Sequence, residues 1–333
     1  MTTTSPAVGP LVQAFFAEHL LGHKRASPQT VGTYRDAFRL LLGFLRAQTG
    51  TEPAALRLAD LDAPIVLAFL DHLEQGRNNA VKSRNVRLAA IRSFFRFVAL
   101  REPASLGLAT RVLAIPTKRA TRTLVNYLTR AEMDAIIAAP DRTAWAGRRD
   151  HALLLTLYNT GARVSEITGL RRSDVQSGAS PTVQLHGKGR KERIVPLWAR
   201  TASVLRAWSY ELGDTPDGIV FPNARHGRLT RHGVIYVLGQ AVQRARSRCV
   251  TLGTKRVSPH VVRHTTAMHL LQAGVEITVI ALWLGHESIE TTHIYVEADL
   301  SMKQQALGKI APLGGGARRF KPDDRLMAFL ANL

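Results

Sequence analysis

The sequence predicts a mainly α-helical protein of two domains, the second a mixed α/β domain carrying a small β-hairpin. Three observations lead there. The 333 residues exceed the ~250–300 that one hydrophobic core usually serves. Apolar residues recur at helical spacing through residues 11–99. Only residues 183–186 and 192–195 alternate as paired strands, either side of a Gly- and Lys-rich turn. The expected organisation is a helical domain over 1–101, a linker over 102–124, a second domain over 125–310 and a tail over 311–333.

In the first domain, residues 11–21 have a helical apolar pattern. Ser27-Pro28 reads as an N-cap followed by proline in the first helical position, opening a helix through Tyr34, Phe38, Leu41, Leu42 and Leu45. Pro64 opens a third helix to about residue 74. A fourth, over about residues 80–99, carries Leu88, Ile91, Phe94, Phe95 and Val98 on one face. Residues 102–123 hold Pro103 and Pro116, lack a strong period and end in Lys118-Arg119-Ala120-Thr121-Arg122, the composition of a flexible basic strap. In the second domain Thr129 and Glu132 are spaced as a capping box. A helix over about 149–160 stops at Gly161, the hairpin follows, and helices are expected near 199–211 and 230–248. Ser258-Pro259 opens another helix, Gly285 ends the next, and a short one carries Thr291 to Tyr295.

Charge narrows the function. Lys and Arg total 45 against 25 Asp and Glu, a net charge of +20 and a pI near 11.1. Such a chain attracts a polyanion, nucleic acid being the usual one and a membrane surface the weaker competitor. Residues 77–101 hold seven basic residues and no acid, among them Lys82, Arg84, Arg87, Arg92 and Arg96. That pattern is open between a phosphate-facing helix and a solvated face. No apolar run approaches the ~18–20 residues of a membrane span, and the first ten residues lack the basic and apolar regions of a signal peptide. Cys249 is the sole cysteine, which excludes an intramolecular disulfide and suits a reducing cytoplasm.

Breaking a phosphodiester without a metal needs a nucleophile, cationic donors for the non-bridging oxygens and an acid for the leaving oxygen. The helix after Pro259 offers His260, Arg263 and His264, and residues three apart share a face, so His260 and Arg263 can meet one anion. A histidine pair at i, i+4 also fits zinc, but the H-E-x-x-H pattern is missing and Arg263 between the two repels a cation. His264 by itself reads as a buried, hydrogen-bonded histidine. Tyr295, by itself, reads as a core residue.

Taken together, five patterns stand in order: Arg163 in TGARVSE, Lys188 in GKGRKER, His260 and Arg263 in HVVRH, His286 in LGH, and Tyr295. This arrangement resembles the tyrosine recombinase (phage integrase) family. The resemblance covers about residues 125–310 through its motifs and 10–101 through helix pattern only. It implies a small helical SAM-like core-binding domain and a DNA breaking-rejoining catalytic domain that clamp double-stranded DNA, the implied partner, as a C. It also implies roles. Tyr295 attacks the scissile phosphate, leaving a 3′-phosphotyrosine and a free 5′ hydroxyl. Arg163 and Arg263 hold the non-bridging oxygens, and His286 adds a hydrogen bond. Lys188 is the general acid, His260 assists proton transfer, and Glu166 orients the site. Arg190 and Lys191 at the hairpin tip join the DNA-binding set. No cofactor, nucleotide or metal is required, because the phosphotyrosine stores the bond energy. Four protomers are implied on paired sites, exchanging strands through a Holliday junction. A C-terminal helix, here 299–309, docks on a neighbour; the apolar stretch 326–330 is open between a second intersubunit contact and a tail.

The rivals are a type IB topoisomerase-like enzyme, a catalytically silent DNA-binding protein and a metal-dependent nuclease, the last without a carboxylate cluster to support it. Within the recombinases, the compact length counts against the large phage integrases, and the unusual tail favours integration or transposition of a mobile element over chromosome dimer resolution. The expected location is cytoplasmic, on the nucleoid.

Overall fold

The computed structural model describes residues 5–120, 125–187, 191–213, 215, 217–286 and 290–298. The chain divides into two compact units, Met1–Thr123 and Leu124–Leu333. Their described residues are mostly helical, with one small antiparallel sheet, as the sequence predicts.

In the first unit α1 (Val8–Ala14) runs on into a π-helical segment, Phe15–His23. Then come α2 (Pro28–Thr49), α3 (Ala63–Asp71), α4 (Val81–Arg101) and α5 (Leu106–Leu113). Helix α2 starts where its cap dictates: Ser27 Oγ accepts from the Thr30 amide at 3.2 Å, a bond worth about 1 kcal/mol. It ends at Gly50, whose φ of +69° takes the chain out of the helix. Phe15, Phe38 and Phe94 are buried and meet ring to ring, with centroids 5.5 Å apart for Phe15–Phe94 and 5.2 Å for Phe38–Phe94. Burying each such side chain contributes ~1.5–3 kcal/mol. This core, more than helix propensity, holds α1, α2 and α4 together.

Helix α5 lies in the segment expected as a linker, and here the structure corrects the sequence. Ala109, Val112 and Ile115 are buried in the first unit's core. Arg84 donates to the Pro116 carbonyl at 3.1 Å, Asn85 Nδ2 to the Lys118 carbonyl at 2.8 Å, and Arg92 to the Ile115 carbonyl. Lys118 Nζ donates to Glu74 at 2.5 Å. The chain through Lys118 is therefore strapped down and does not swing free. An eight-residue helix beside two prolines has too few turns for its periodicity to show. The remaining expected linker, 121–124, lies outside the described residues.

The second unit opens with α6 (Arg130–Ala138), capped reciprocally: Thr129 Oγ1 accepts from the Glu132 amide and Glu132 Oε2 from the Thr129 amide. Buried α7 (Trp145–Thr160) ends at Gly161 and is followed by α8 (Val164–Gly169). A sheet of order β1-β2-β3 comprises β1 (Val175–Gln176), β2 (Thr182–His186) and β3 (Glu192–Pro196). Strand β1 was not expected, since two residues show no alternation. In the β2–β3 register Leu185 faces Arg193 and Val183 faces Val195. Alternation turns this set inward. The Gly187 amide donates to the Lys191 carbonyl at 2.7 Å, closing the hairpin base; Lys188 and Arg190 lie outside the described residues. Then follow α9 (Ala199–Leu212), α10 (Arg231–Ala245), α11 (Pro259–Gln272), α12 (Ile277–Leu284) and α13 (Glu290–Ala298). Helix α11 packs on α7, and α12 and α13 pack on α11. The expected docking helix at 299–309 and the stretch 326–330 fall outside the described residues. Among the described residues no helix is long and apolar enough to cross a membrane.

Candidate active site

Two helix ends and two arginines form the centre. Helices α7 and α12 each stop at a left-handed glycine, Gly161 (φ +59°) and Gly285 (φ +66°). Both ends leave carbonyls without helical partners. Arg263 on α11 is 5 % exposed and donates to the Gly161 carbonyl at 2.6 Å and the Leu284 carbonyl at 2.7 Å. Arg163, between α7 and α8, donates to the Gly285 carbonyl at 3.1 Å. The negative ends of the two helices thus collect both guanidinium groups. Burial first, then the neighbouring Arg163 and Arg193, push the Arg263 pKa down to about 10. It stays charged at neutral pH.

Glu166 holds Arg163 in place. It is buried, and its carboxylate accepts from the Arg163 amide at 2.7 Å and from Arg163 NH1 at 3.0 Å. Arg193 of β3 forks onto both of its oxygens, each at 2.8 Å. Burial alone would raise the carboxyl pKa, but Arg193 and then Arg163 outweigh it, and the group is held below the ordinary carboxylate value.

Tyr295, His264 and His286 complete the cluster, with His260 at its edge. Tyr295 on α13 is 1 % exposed, and its hydroxyl shares a 2.9 Å hydrogen bond with His264 Nδ1. Burial pushes its pKa up to about 12, against a smaller opposing pull from Arg263. His286 lies stacked beside it with ring centroids 6.4 Å apart, and its Nδ1 shares a 2.7 Å bond with Thr292 Oγ1. His260, exposed at the start of α11, is pushed down by desolvation, then by Arg231, Arg263 and Arg163. Burial, then Arg263, Arg163, His264 and Arg193, push His286 down to about 4. It is neutral at pH 7. Because the folded value lies below the ordinary 6.5, its neutral form stabilises the fold fully above that pH and progressively less as pH falls towards 4. Thermal melts across this window should therefore show His286→Asn losing less Tm on acidification than the parent; parallel losses would refute the assignment.

The sequence pattern of the phage integrase family matches residues 126–302, and that of the phage integrase N-terminal SAM-like domain matches 13–102. The chain belongs to the phage integrase family. The integrase/recombinase y4rC of Sinorhizobium fredii is 51 % identical, covering 99 % of this chain and 100 % of that protein. Tyrosine recombinase XerC of Oceanobacillus iheyensis is 33 % identical over 90 % of this chain and 96 % of its own. In fold, the chain is like XerH site-specific recombinase bound to a palindromic difH substrate after cleavage, with a TM-score of 0.67 at 21 % identity, over 86 % of this chain and 81 % of that one. It is also like Tn1549 transposon integrase in complex with transposon right end DNA, with a TM-score of 0.68 at 14 % identity, over 90 % and 99 % of the two chains. This integrase-family chain is a tyrosine-type site-specific recombinase.

Of the residues the sequence singles out in this recombinase, Arg163, Glu166, Arg263, His286 and Tyr295 come together, with His260 at the edge. Lys191 stands at the hairpin base. On α4, Lys82 and Arg96 are exposed, and Arg87 and Arg92 are half-buried. Arg84 is 2 % exposed and committed to Pro116, which leaves it no open face for a phosphate. No group of three metal-ligating side chains occurs among the described residues. Sequence reasoning missed Arg193, and it did not link His264 to Tyr295. The signal for Arg193 was the alternation of β3, which sets it on the inner face with Val195.

Proposed function

We propose that this recombinase cuts and rejoins double-stranded DNA through Tyr295, with residues 1–101 as a DNA-binding domain and 125–310 as the catalytic domain. The observation that carries the reading is the convergence of Arg163 and Arg263 on the carbonyls of Gly161, Leu284 and Gly285, next to a tyrosine that feels Arg263. A phosphate meeting these guanidinium groups has its non-bridging oxygens bound by planar, permanently charged forks. The Tyr295 hydroxyl leaves His264, gives its proton to His260 and attacks phosphorus. The bond to the 5′ oxygen breaks, and Lys188 protonates that oxygen. Neutral His286 donates a hydrogen bond to the developing charge. The 3′-phosphotyrosine is then attacked by the 5′ hydroxyl of the partner strand, which releases Tyr295. Lys82, Arg87, Arg92, Arg96, Arg190 and Lys191 contact the DNA backbone; Arg84 acts by holding the strap. The assembly is a homotetramer on paired sites, acting in the cytoplasm on the nucleoid without a metal or nucleotide.

Integration or transposition of a mobile element is the reaction this chain serves best, supported by the integrase/recombinase name of the 51 % identical relative. The XerC relatives favour a second reading, chromosome dimer resolution. The test starts from a duplex site selected out of random DNA by the full-length protein. On a nicked duplex carrying that site, Lys188→Ala should cleave poorly, and replacing the leaving 5′ oxygen by sulfur should restore the rate. A sulfur substrate cut no faster than the oxygen one would remove Lys188 from the acid's role. Mapping the junctions made in cells separates a mobile-element end from a chromosomal resolution site.

A further inference from the structure

Three of the motifs meet at one residue that belongs to none of the assigned roles. Arg193 sits on β3, one strand of the hairpin whose tip carries Lys188. Its side chain is 11 % exposed, forks onto Glu166, and donates from Nε to the Trp283 carbonyl at 2.9 Å. Glu166 in turn holds Arg163. Trp283 precedes the Leu284-Gly285-His286 turn, whose carbonyls hold both guanidinium groups.

The two flanking glycines record how closely this junction is packed. A Cβ on Gly187, at the hairpin base, would lie 3.3 Å from Glu166 Oε1 and 3.1 Å from the Lys191 carbonyl. A Cβ on Gly285 would lie 3.1 Å from Arg193 Cδ and 3.2 Å from its NH1. Arg193 thus bonds the hairpin base to both the Arg163 turn and the His286 turn, which Arg163 also joins to each other through the Gly285 carbonyl.

We infer that Arg193 is a positioning residue: it anchors the hairpin to the phosphate-binding arginines, so that the acid at the tip is delivered to the leaving oxygen. This rests on the proposed roles of Lys188 and Arg163. A carboxylate bound by both a strand arginine and a phosphate-binding arginine fixes the hairpin base against that arginine more tightly than strand pairing alone. The β2–β3 ladder sets the hairpin's own geometry, but nothing in that ladder ties it to Arg163. The forked bond to Glu166 and the Nε bond to Trp283 supply that tie.

The test uses the full-length protein and nicked duplexes carrying the selected site, with either oxygen or sulfur at the leaving 5′ position. Arg193→Gln should bind DNA normally and cleave the oxygen substrate roughly 10- to 100-fold more slowly. It should cut the sulfur substrate at close to the parental rate, because sulfur leaves without an acid. Arg193→Lys keeps the charge but cannot fork onto Glu166 and reach Trp283 together. It should show the same sulfur rescue from a smaller defect, and it serves if the glutamine variant fails to fold. Equal slowing on both substrates, or no slowing, overturns the inference, since loss of general structural integrity would depress both rates alike. Lys188→Ala is run alongside. If it is rescued by sulfur and the Arg193 variants are not, only the positioning role fails. If it is not rescued, the acid assignment itself fails, and the positioning role fails with it.

Discussion

Tyr295→Phe protein will bind the selected duplex with unchanged affinity and form no denaturant-resistant adduct with it. Removing the attacking atom should lower cleavage by at least roughly 10⁴-fold, below detection on a nicked substrate. The phenylalanine ring keeps the packing of the buried site, on α11 and α12, while the bond to His264 Nδ1 is lost. That loss should cost only about 1 kcal/mol of stability. The variant is therefore expected to be folded, and its silence to be chemical. Gel detection of covalent protein–DNA complex, with a melting curve beside it, checks both parts. An adduct that survives the substitution would place the nucleophile elsewhere.

Arg263→Ala should come next in size. The guanidinium is buried and bonded to the ends of two helices, so its removal acts twice. Losing a fixed donor aimed at transition-state charge costs roughly 10²- to 10³-fold in rate. Leaving the Gly161 and Leu284 carbonyls without a partner costs about 1–3 kcal/mol each. Arg163, whose side chain is 37 % exposed and already shared with Glu166, provides the contrast. Arg163→Ala should lose a similar factor in cleavage with a smaller drop in Tm. Single-turnover cleavage and thermal melts on both variants separate the two contributions. A folded Arg263→Ala protein that cleaves at the parental rate would remove this arginine from the phosphate site.

Helices were legible in the sequence where local chemistry announces them. Ser27-Pro28, Thr129 with Glu132, and Ser258-Pro259 all cap the helices they were expected to cap. The class of the chain was legible because five short patterns stand in order. What stayed hidden depended on distant packing. Arg193 falls in the expected second strand, whose alternation sets it on the inner face, but its bonds to Glu166 and Trp283 depend on packing that no local pattern records. Arg84 looks like its basic neighbours on α4 until α5 and Pro116 cover it. The bond from His264 to Tyr295 requires α13 to fold back on α11, which no local pattern in either helix encodes.

Gly285 is held to its identity for two separate reasons: its backbone lies in the left-handed region, and Arg193 crowds the place a Cβ would take. A lineage that exchanged the arginine for a smaller residue would relax the second constraint but keep the first. One that gained a methyl group at the glycine would have to displace the arginine as well. A change at either position thus disturbs the packing of the other, and the turn before His286 rests in part on a strand residue far upstream.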